Sequence, residues 1–229
     1  AKIWDLQSYK LIDTFRGHAA TVTGITFSPD ADRVASGSFD NTVRVWDVAA
    51  NTRPAKVAAH FRAVGEIAFS PDDRMLATCG QDGTVRIWET ASGELIRDLD
   101  LGVPTVASVE FSPDGETLLA AGGYYPGWDA PGGISLWDVG SGRQMTSIPV
   151  EPNASCWSAD FSPQGDRFVA AVQGNLEFYD TADGRVRMRL HHSDSPSRRV
   201  RWSPDGNFVV SVGGGGAAKS VKVWDAHTG

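Results

Sequence analysis

Cysteine is scarce in this chain of 229 residues: Cys79 and Cys156 stand far apart, and neither has a His or Cys at metal-ligand spacing. That excludes a disulfide scaffold and a zinc site, and the expectation is a protein with no metal and no cofactor. Basic residues are also in short supply, with 21 Lys and Arg against 28 Asp and Glu and a formal charge of -7. A general nucleic-acid binder needs a basic face to displace counterions, and the short run Ser197-Arg198-Arg199-Val200-Arg201 does not reverse the balance. No apolar stretch approaches the ~18 to 20 residues of a membrane span. No signal peptide begins the chain, which leaves the cytoplasm as the default expectation. Helical periodicity is absent throughout, so helical bundles and alternating α/β folds are excluded and the class reads as all-β.

What the chain has is Gly, Pro and Trp, at 25, 12 and 8 residues, and they recur in register. The sequence Phe-Ser-Pro-Asp or a near relative begins at Phe27, Phe69, Phe111, Phe161 and Trp202, in steps of 42, 42, 50 and 41. An aromatic followed by an acid occurs at Trp4-Asp5, Trp46-Asp47, Trp88-Glu89, Trp137-Asp138, Tyr179-Asp180 and Trp224-Asp225. From each such pair to the next Phe-Ser-Pro the distance is 23 or 24 residues, whereas from Phe-Ser-Pro to its own pair it runs from 18 to 26. Length therefore varies in one segment of the unit. A repeat of this size means stacked or radially arranged supersecondary units.

Each unit reads as four strands. Val22–Phe27 alternates with period two, Ser28-Pro29-Asp30 turns, Arg33–Gly37 is a second strand, Asp40-Asn41 turns again, and Thr42–Trp46 is a third, with a fourth in the polar stretch that follows. The prolines fall in the turns, where a missing N–H costs no ladder bond. Counted this way, the chain holds two strands, four whole four-stranded units and three more strands.

Units of about 42 residues, with Gly17-His18 near the start, Asp40 at the second turn and Trp46-Asp47 near the end, resemble the WD-repeat family of β-propellers. His60, Asp82 and Trp88-Glu89 repeat the set. The resemblance covers the full chain and implies four-stranded antiparallel blades, about five of them present, as part of a seven-bladed ring, with six- and five-bladed rings as alternatives. It implies a single propeller domain over 1–229, incomplete as a ring, with repeat units at about 11–52, 53–94, 95–143, 144–185 and 186–229. His18, Ser36, Asp40 and Trp46 match the family's structural tetrad, as do His60, Thr78, Asp82 and Trp88. A buried indole N–H needs an acceptor, a hydroxyl accepts it and donates onward to imidazole, and a carboxylate holds the other ring nitrogen. This Ser-His-Asp set is architectural, not hydrolytic, because Trp occupies the hydroxyl. The third unit lacks the His and has Ala120 for the hydroxyl. The fourth has Tyr179 for Trp. The fifth offers His191, His192, Ser211 and Trp224, with Gly in place of Asp. Full tetrads are expected in the first two complete blades alone.

Other chemical look-alikes fail on spacing. Gly213–Ser220 has Ala218, not Gly, before Lys219 and leads into a strand, unlike a phosphate-cradling loop. His191-His192-Ser193-Asp194-Ser195 sets neighbours side by side on one segment, whereas a catalytic triad converges from separate ones. No reaction centre emerges, and the inner-strand positions read as mostly small and apolar. The chain is therefore read as a non-catalytic scaffold for a protein or peptide partner, with the sensory or scaffold module of a larger enzyme or signalling protein as the alternative.

The family resemblance implies that the partner binds on the top face. The family's contact positions, carried over residue by residue, are Thr21, Thr23 and Phe39, then Ala63, Gly65 and Gln81, then Thr105 and Ala107, then Ser155 and Trp157, and finally Pro196 and Arg198. Most are small. Phe39, Trp157 and Arg198 are of the types that dominate interface energetics. The stretch GGYYPGWDAPGG, 122–133, is an insertion in the loop between the second and third strands of the third unit. Trp128-Asp129 within it is out of register, and Trp137-Asp138 is the structural pair. The insertion is expected to carry Tyr124, Tyr125 and Trp128 to the same face as Phe39 and Arg198.

Overall fold

The computed structural model describes residues 1–49, 55–123, 132–151, 154, 156–193, 197–213 and 220–229. Every element among them is a strand, and every pairing is antiparallel. A two-stranded ladder of β1 (Lys2–Trp4) and β2 (Leu11–Thr14) comes first. The first whole blade is β3 (Val22–Phe27), β4 (Arg33–Ser38), β5 (Thr42–Asp47) and β6 (Ala55–Ala58). The second is β7 (Val64–Phe69), β8 (Met75–Gly80), β9 (Thr84–Glu89) and β10 (Leu95–Asp100). The third is β11 (Val106–Phe111), β12 (Thr117–Gly122), β13 (Gly132–Asp138) and β14 (Gln144–Val150). The fourth is β15 (Cys156–Phe161), β16 (Arg167–Val172), β17 (Asn175–Asp180) and β18 (Val186–His191), and β19 (Ser197–Trp202), β20 (Phe208–Gly213) and β21 (Ser220–Asp225) complete the set. The strands fall into sheets of two, four, four, four, four and three, as the repeat markers predict.

The blades stand side by side with their first strands in succession. β3 packs beside β7, β7 beside β11, β11 beside β15, and β15 beside β19. These five strands face the inner channel of a β-propeller, and the fourth strands of the blades, with exposed alternate residues, lie at the rim. The middle strands of the third and fourth blades carry apolar residues on both faces because these blades are covered on both sides, so β12 and β16 read as near-continuous runs, Thr117–Gly122 and Arg167–Val172.

The core is divided accordingly, one cluster to each blade interface. Ala35 and Val43 of the first blade pack with Val64, Ile67, Leu76 and Trp88 of the second. Cys79 and Ile87 pack with Val109, Leu118 and Trp137 of the third, Leu119 and Leu136 with Phe161 and Phe168 of the fourth, and Phe178 with Val200 and Trp202 of β19. Ile3 and Phe15 cover Val34 and Trp46 in the same manner. Both cysteines are free and lie inside these clusters. Burial pushes the Cys156 thiol up to about 12, and it raises Cys79 as well, so neither is a reactive thiol.

The Ser-Pro turns are built alike. Ser28 Oγ donates to Asp30 and accepts the Arg33 N–H at 2.9 Å, and Ser70 does the same with Asp72 and Met75. At the opposite end of each blade, the second turn is pinned to the start of the first strand. Phe39 N–H donates to Thr21 O at 2.9 Å, Gln81 N–H to Ala63 O at 2.9 Å, and Gly123 N–H to Thr105 O at 3.0 Å. That end is the top face, and the Ser-Pro turns form the bottom. The second turn requires a left-handed residue, supplied by Asn41 at φ 67° and Gly83 at φ +82°.

Candidate functional site

The networks that tie each top turn to its blade come first, because they hold the turns that carry Phe39 and Gln81. In the first blade Trp46 Nε1–H donates to Ser36 Oγ at 2.9 Å, Ser36 meets His18 Nε2 at 2.9 Å, and His18 Nδ1 lies 3.0 Å from Asp40 Oδ2. In the second, Trp88 Nε1–H donates to Thr78 Oγ1 at 3.0 Å, Thr78 meets His60 Nε2 at 2.9 Å, and His60 Nδ1 lies 2.9 Å from Asp82 Oδ1. Burial works against the Asp40 and Asp82 charges. Hydrogen bonds from Thr42, Ala19 N–H and His18 to Asp40, and from His60, Phe61 N–H and Thr84 to Asp82, outweigh it and hold both carboxyls well below the usual range. A Cβ at Gly80 would sit 2.6 Å from His60 Nδ1, so glycine is what lets the ring lie against its turn.

The remaining blades depart from this arrangement for visible reasons. Ala120 offers no acceptor, and the Trp137 indole N–H is buried without a partner. Tyr179 in the fourth blade donates to Glu177 and stacks on Phe168 with ring centroids 4.8 Å apart. In the β19–β21 sheet His192, not His191, is the buried ring: its Nδ1 meets Ser211 Oγ at 2.7 Å, Trp224 Nε1–H donates to the same oxygen at 2.8 Å, and Ser220 takes the carboxylate's place at 3.1 Å from Nε2. Burial, with Lys222 and His191 nearby, pushes His192 toward its neutral form.

The channel is not the small apolar lining expected from the sequence. Glu66 on β7, Glu110 on β11, Asp160 on β15 and Arg199 and Arg201 on β19 converge there. Arg201 pairs with Glu66 at 2.8 Å and with Asp160 at 3.1 Å, and Arg199 pairs with Glu66. Ser108 Oγ donates to Glu66 Oε2 at 2.7 Å. Burial and the neighbouring Asp160 charge raise Glu110 well above the carboxylate range. Burial also raises Asp160, against the pull of Arg201. Among the described residues no group of His, Cys, Asp and Glu is arranged to hold a metal ion.

This cluster stands between two cavities. The lower, about 500 Å³, opens among the Ser-Pro turns and is floored by Glu66, Glu110, Asp160 and Arg201. The upper, about 460 Å³, opens on the top face and is lined by Thr23, Phe39, Val64, Gly65, Gln81, Thr105, Val106, Ala107, Trp157, Arg198 and Arg199. It gathers residues from β3, β7, β11, β15 and β19 and from two top turns. Phe39 is 51% exposed, Trp157 is half-buried, and the Arg198 guanidinium lies over the Trp157 ring at 5.8 Å. Thr21 lies outside the lining, on the exposed shoulder beside Phe39, and Ala63 is its counterpart beside Gln81. The Thr23 hydroxyl is taken by Val64 O at 2.6 Å, so it serves the joint between blades. Ser155 and Pro196, and Tyr124, Tyr125 and Trp128 of the insertion, lie outside the described residues.

Two features escaped the sequence reading. Phe61, 85% exposed, follows His60 on the top face, and Arg86 sits over its ring at 5.3 Å. Arg199 enters the upper cavity beside Arg198. An aromatic directly after the tetrad His was a usable signal for the first; nothing local marks the second.

The model of the family described as "WD domain, G-beta repeat" matches residues 9–47, 52–89 and 184–225, together more than half of the chain. The chain belongs to the WD-repeat family. The matched stretches are those that end on Trp46-Asp47, Trp88-Glu89 and Trp224-Asp225, each with its hydroxyl and histidine. The unmatched middle holds Ala120 and Tyr179. Among curated proteins, the chain is 47% identical to Protein HIRA of Oryza sativa subsp. japonica over 45 residues, 20% of this chain and 5% of the relative. It is 44% identical to Protein groucho of Drosophila melanogaster over 46 residues, 20% of this chain and 6% of the relative. The Transcriptional corepressor LEUNIG_HOMOLOG of Arabidopsis thaliana aligns over 237 residues at 26% identity, covering 99% of this chain and 22% of the relative. The chain thus spans a small part of the length of the relatives it matches. None of its described elements is a helix long and apolar enough to cross a membrane.

Proposed function

We propose that this WD-repeat propeller is a non-catalytic scaffold that binds a protein or peptide partner at the upper cavity, as one part of a larger protein and of a seven-bladed ring, in the cytoplasm. The observation that carries this reading is the convergence of Phe39, Trp157 and Arg198, from three separate blades, on one concave top-face site. Aromatic and Arg side chains around a partly desolvated hollow are the usual seat of interface energy. Within the channel cluster Glu66 and Asp160 are paired with Arg199 and Arg201, which gives these two carboxylates a structural role in keeping with a scaffold. The relation to a protein named as a transcriptional corepressor favours an interaction role over an enzymatic one. The short span relative to these proteins supports the second reading, a scaffold or sensory module whose activity lies elsewhere in the same polypeptide. Affinity capture with the full-length protein tests the first. A variant carrying Phe39→Ala, Trp157→Ala and Arg198→Ala is expected to lose its partners at an unchanged melting temperature. Full capture by the triple variant overturns the reading.

A further inference from the structure

We infer that the upper cavity selects an extended peptide segment in which an Asp or Glu carboxylate stands beside an apolar side chain. This rests on the top-face reading above and specifies its partner. The argument is one of charge. In the channel, Arg199 and Arg201 are paired with Glu66 and Asp160, so the lower cavity has no unpaired cation among its described lining residues to offer an anionic ligand. Arg198 differs. It is exposed, its guanidinium rests on Trp157 at 5.8 Å, and no described residue lining the cavity is acidic. Arg199 lines the same cavity but is paired with Glu66, whereas no described acid lies in the lining to pair with Arg198.

A guanidinium held against an indole face is partly stripped of water and keeps its planar fork for a carboxylate. The rest of the wall fits the neighbour. Phe39, Val64 and Val106 are apolar, Gly65 and Ala107 leave room for a side chain, and the Gln81 carboxamide can both donate to and accept from a peptide backbone. Phosphoserine is a poorer match. A phosphate carries close to two charges and is read by clusters of Arg, whereas Arg199 is already committed. The formal charge of -7 repels acidic partners at long range, so discrimination has to arise at contact, where Arg198 acts.

The test uses the full-length protein and immobilised degenerate peptide pools. Their central positions are fixed as Asp or Glu beside Leu or Phe, as the corresponding amides, as Lys or Arg, or as phosphoserine. Wild type is expected to retain the acidic pool about tenfold more strongly than the amide pool. R198Q, with unchanged melting temperature, should retain the two alike, and W157A should lose both. Equal retention of acidic and amide pools by wild type overturns the inference and leaves the peptide-site reading standing. So does a lead for the basic or phosphoserine pool, or an acidic preference that survives in R198Q. Retention of no pool by wild type, together with undiminished protein capture by the triple variant, overturns both.

Discussion

At the residue scale, the decisive contrast is between a satisfied indole and an orphaned one. Trp88 and Trp137 occupy the same place in successive blades and are equally buried, yet Trp88 donates to Thr78 and Trp137 faces Ala120. Trp→Phe at the two positions removes similar volume. Trp88→Phe also leaves Thr78 Oγ1 short of a donor, and Trp137→Phe relieves an unpaired polar group, so the first should cost about 1 kcal/mol more in urea denaturation. Equal losses would mean that the network adds nothing to packing. His60→Ala removes the link between Thr78 and Asp82 and should destabilise the protein by about 1–3 kcal/mol, read as the urea midpoint against wild type. Much of this was legible in the sequence, because His18, Ser36, Asp40 and Trp46 repeat at fixed spacing as His60, Thr78, Asp82 and Trp88. The variant in the last sheet was not. Choosing His192 over His191 and putting Ser220 at 3.1 Å from its Nε2, where the first two blades have Asp, depends on contacts between separate strands, which no spacing rule conveys.

At the element scale, strands and turns were readable because period-two alternation and Ser-Pro turn chemistry are local. β3, β4 and β5 fall where Val22–Phe27, Arg33–Gly37 and Thr42–Trp46 were expected, to within a residue. The charged channel lining was missed for the opposite reason. Glu66 meets Arg199 at a separation of 133 residues, a partnership that exists only once the blades curve round the axis. The lining also makes pH a test of the elements that carry it. Glu110 has a raised folded-state value, so its contribution to stability is fully present below its unfolded value of about 4.3 and is lost as pH rises through the folded value. Asp40 and Asp82 are lowered, so their contribution is present above about 3.9 and is lost as pH falls through the folded values. Stability should therefore be greatest in mildly acidic solution. Glu110→Gln should make the decline toward alkaline pH shallower, read as the urea midpoint against pH. An unchanged slope would show that Glu110 is ionised in the folded protein.

At the scale of the whole molecule, the ion cluster divides the channel, and the two cavities it separates differ in character. The lower one is ringed by Ser-Pro turns over the paired Glu66, Asp160 and Arg201, and the upper one sets aromatics and Arg198, with no acid among its described lining residues, around small residues. Phe39, Trp157 and Arg198 lie at 39, 157 and 198 in the chain and could be grouped from the sequence only through the family's blade geometry. Their shared cavity follows from the side-by-side order of β3, β7, β11, β15 and β19. The central claim is that the partner sits on this upper face, and photo-crosslinking tests it most directly. A photoreactive side chain placed at Gln81, on the rim of the upper cavity, should capture the partner in the full-length protein. The same group at Glu116, exposed in a bottom turn, should not. Capture from Glu116 with none from Gln81 would contradict the account.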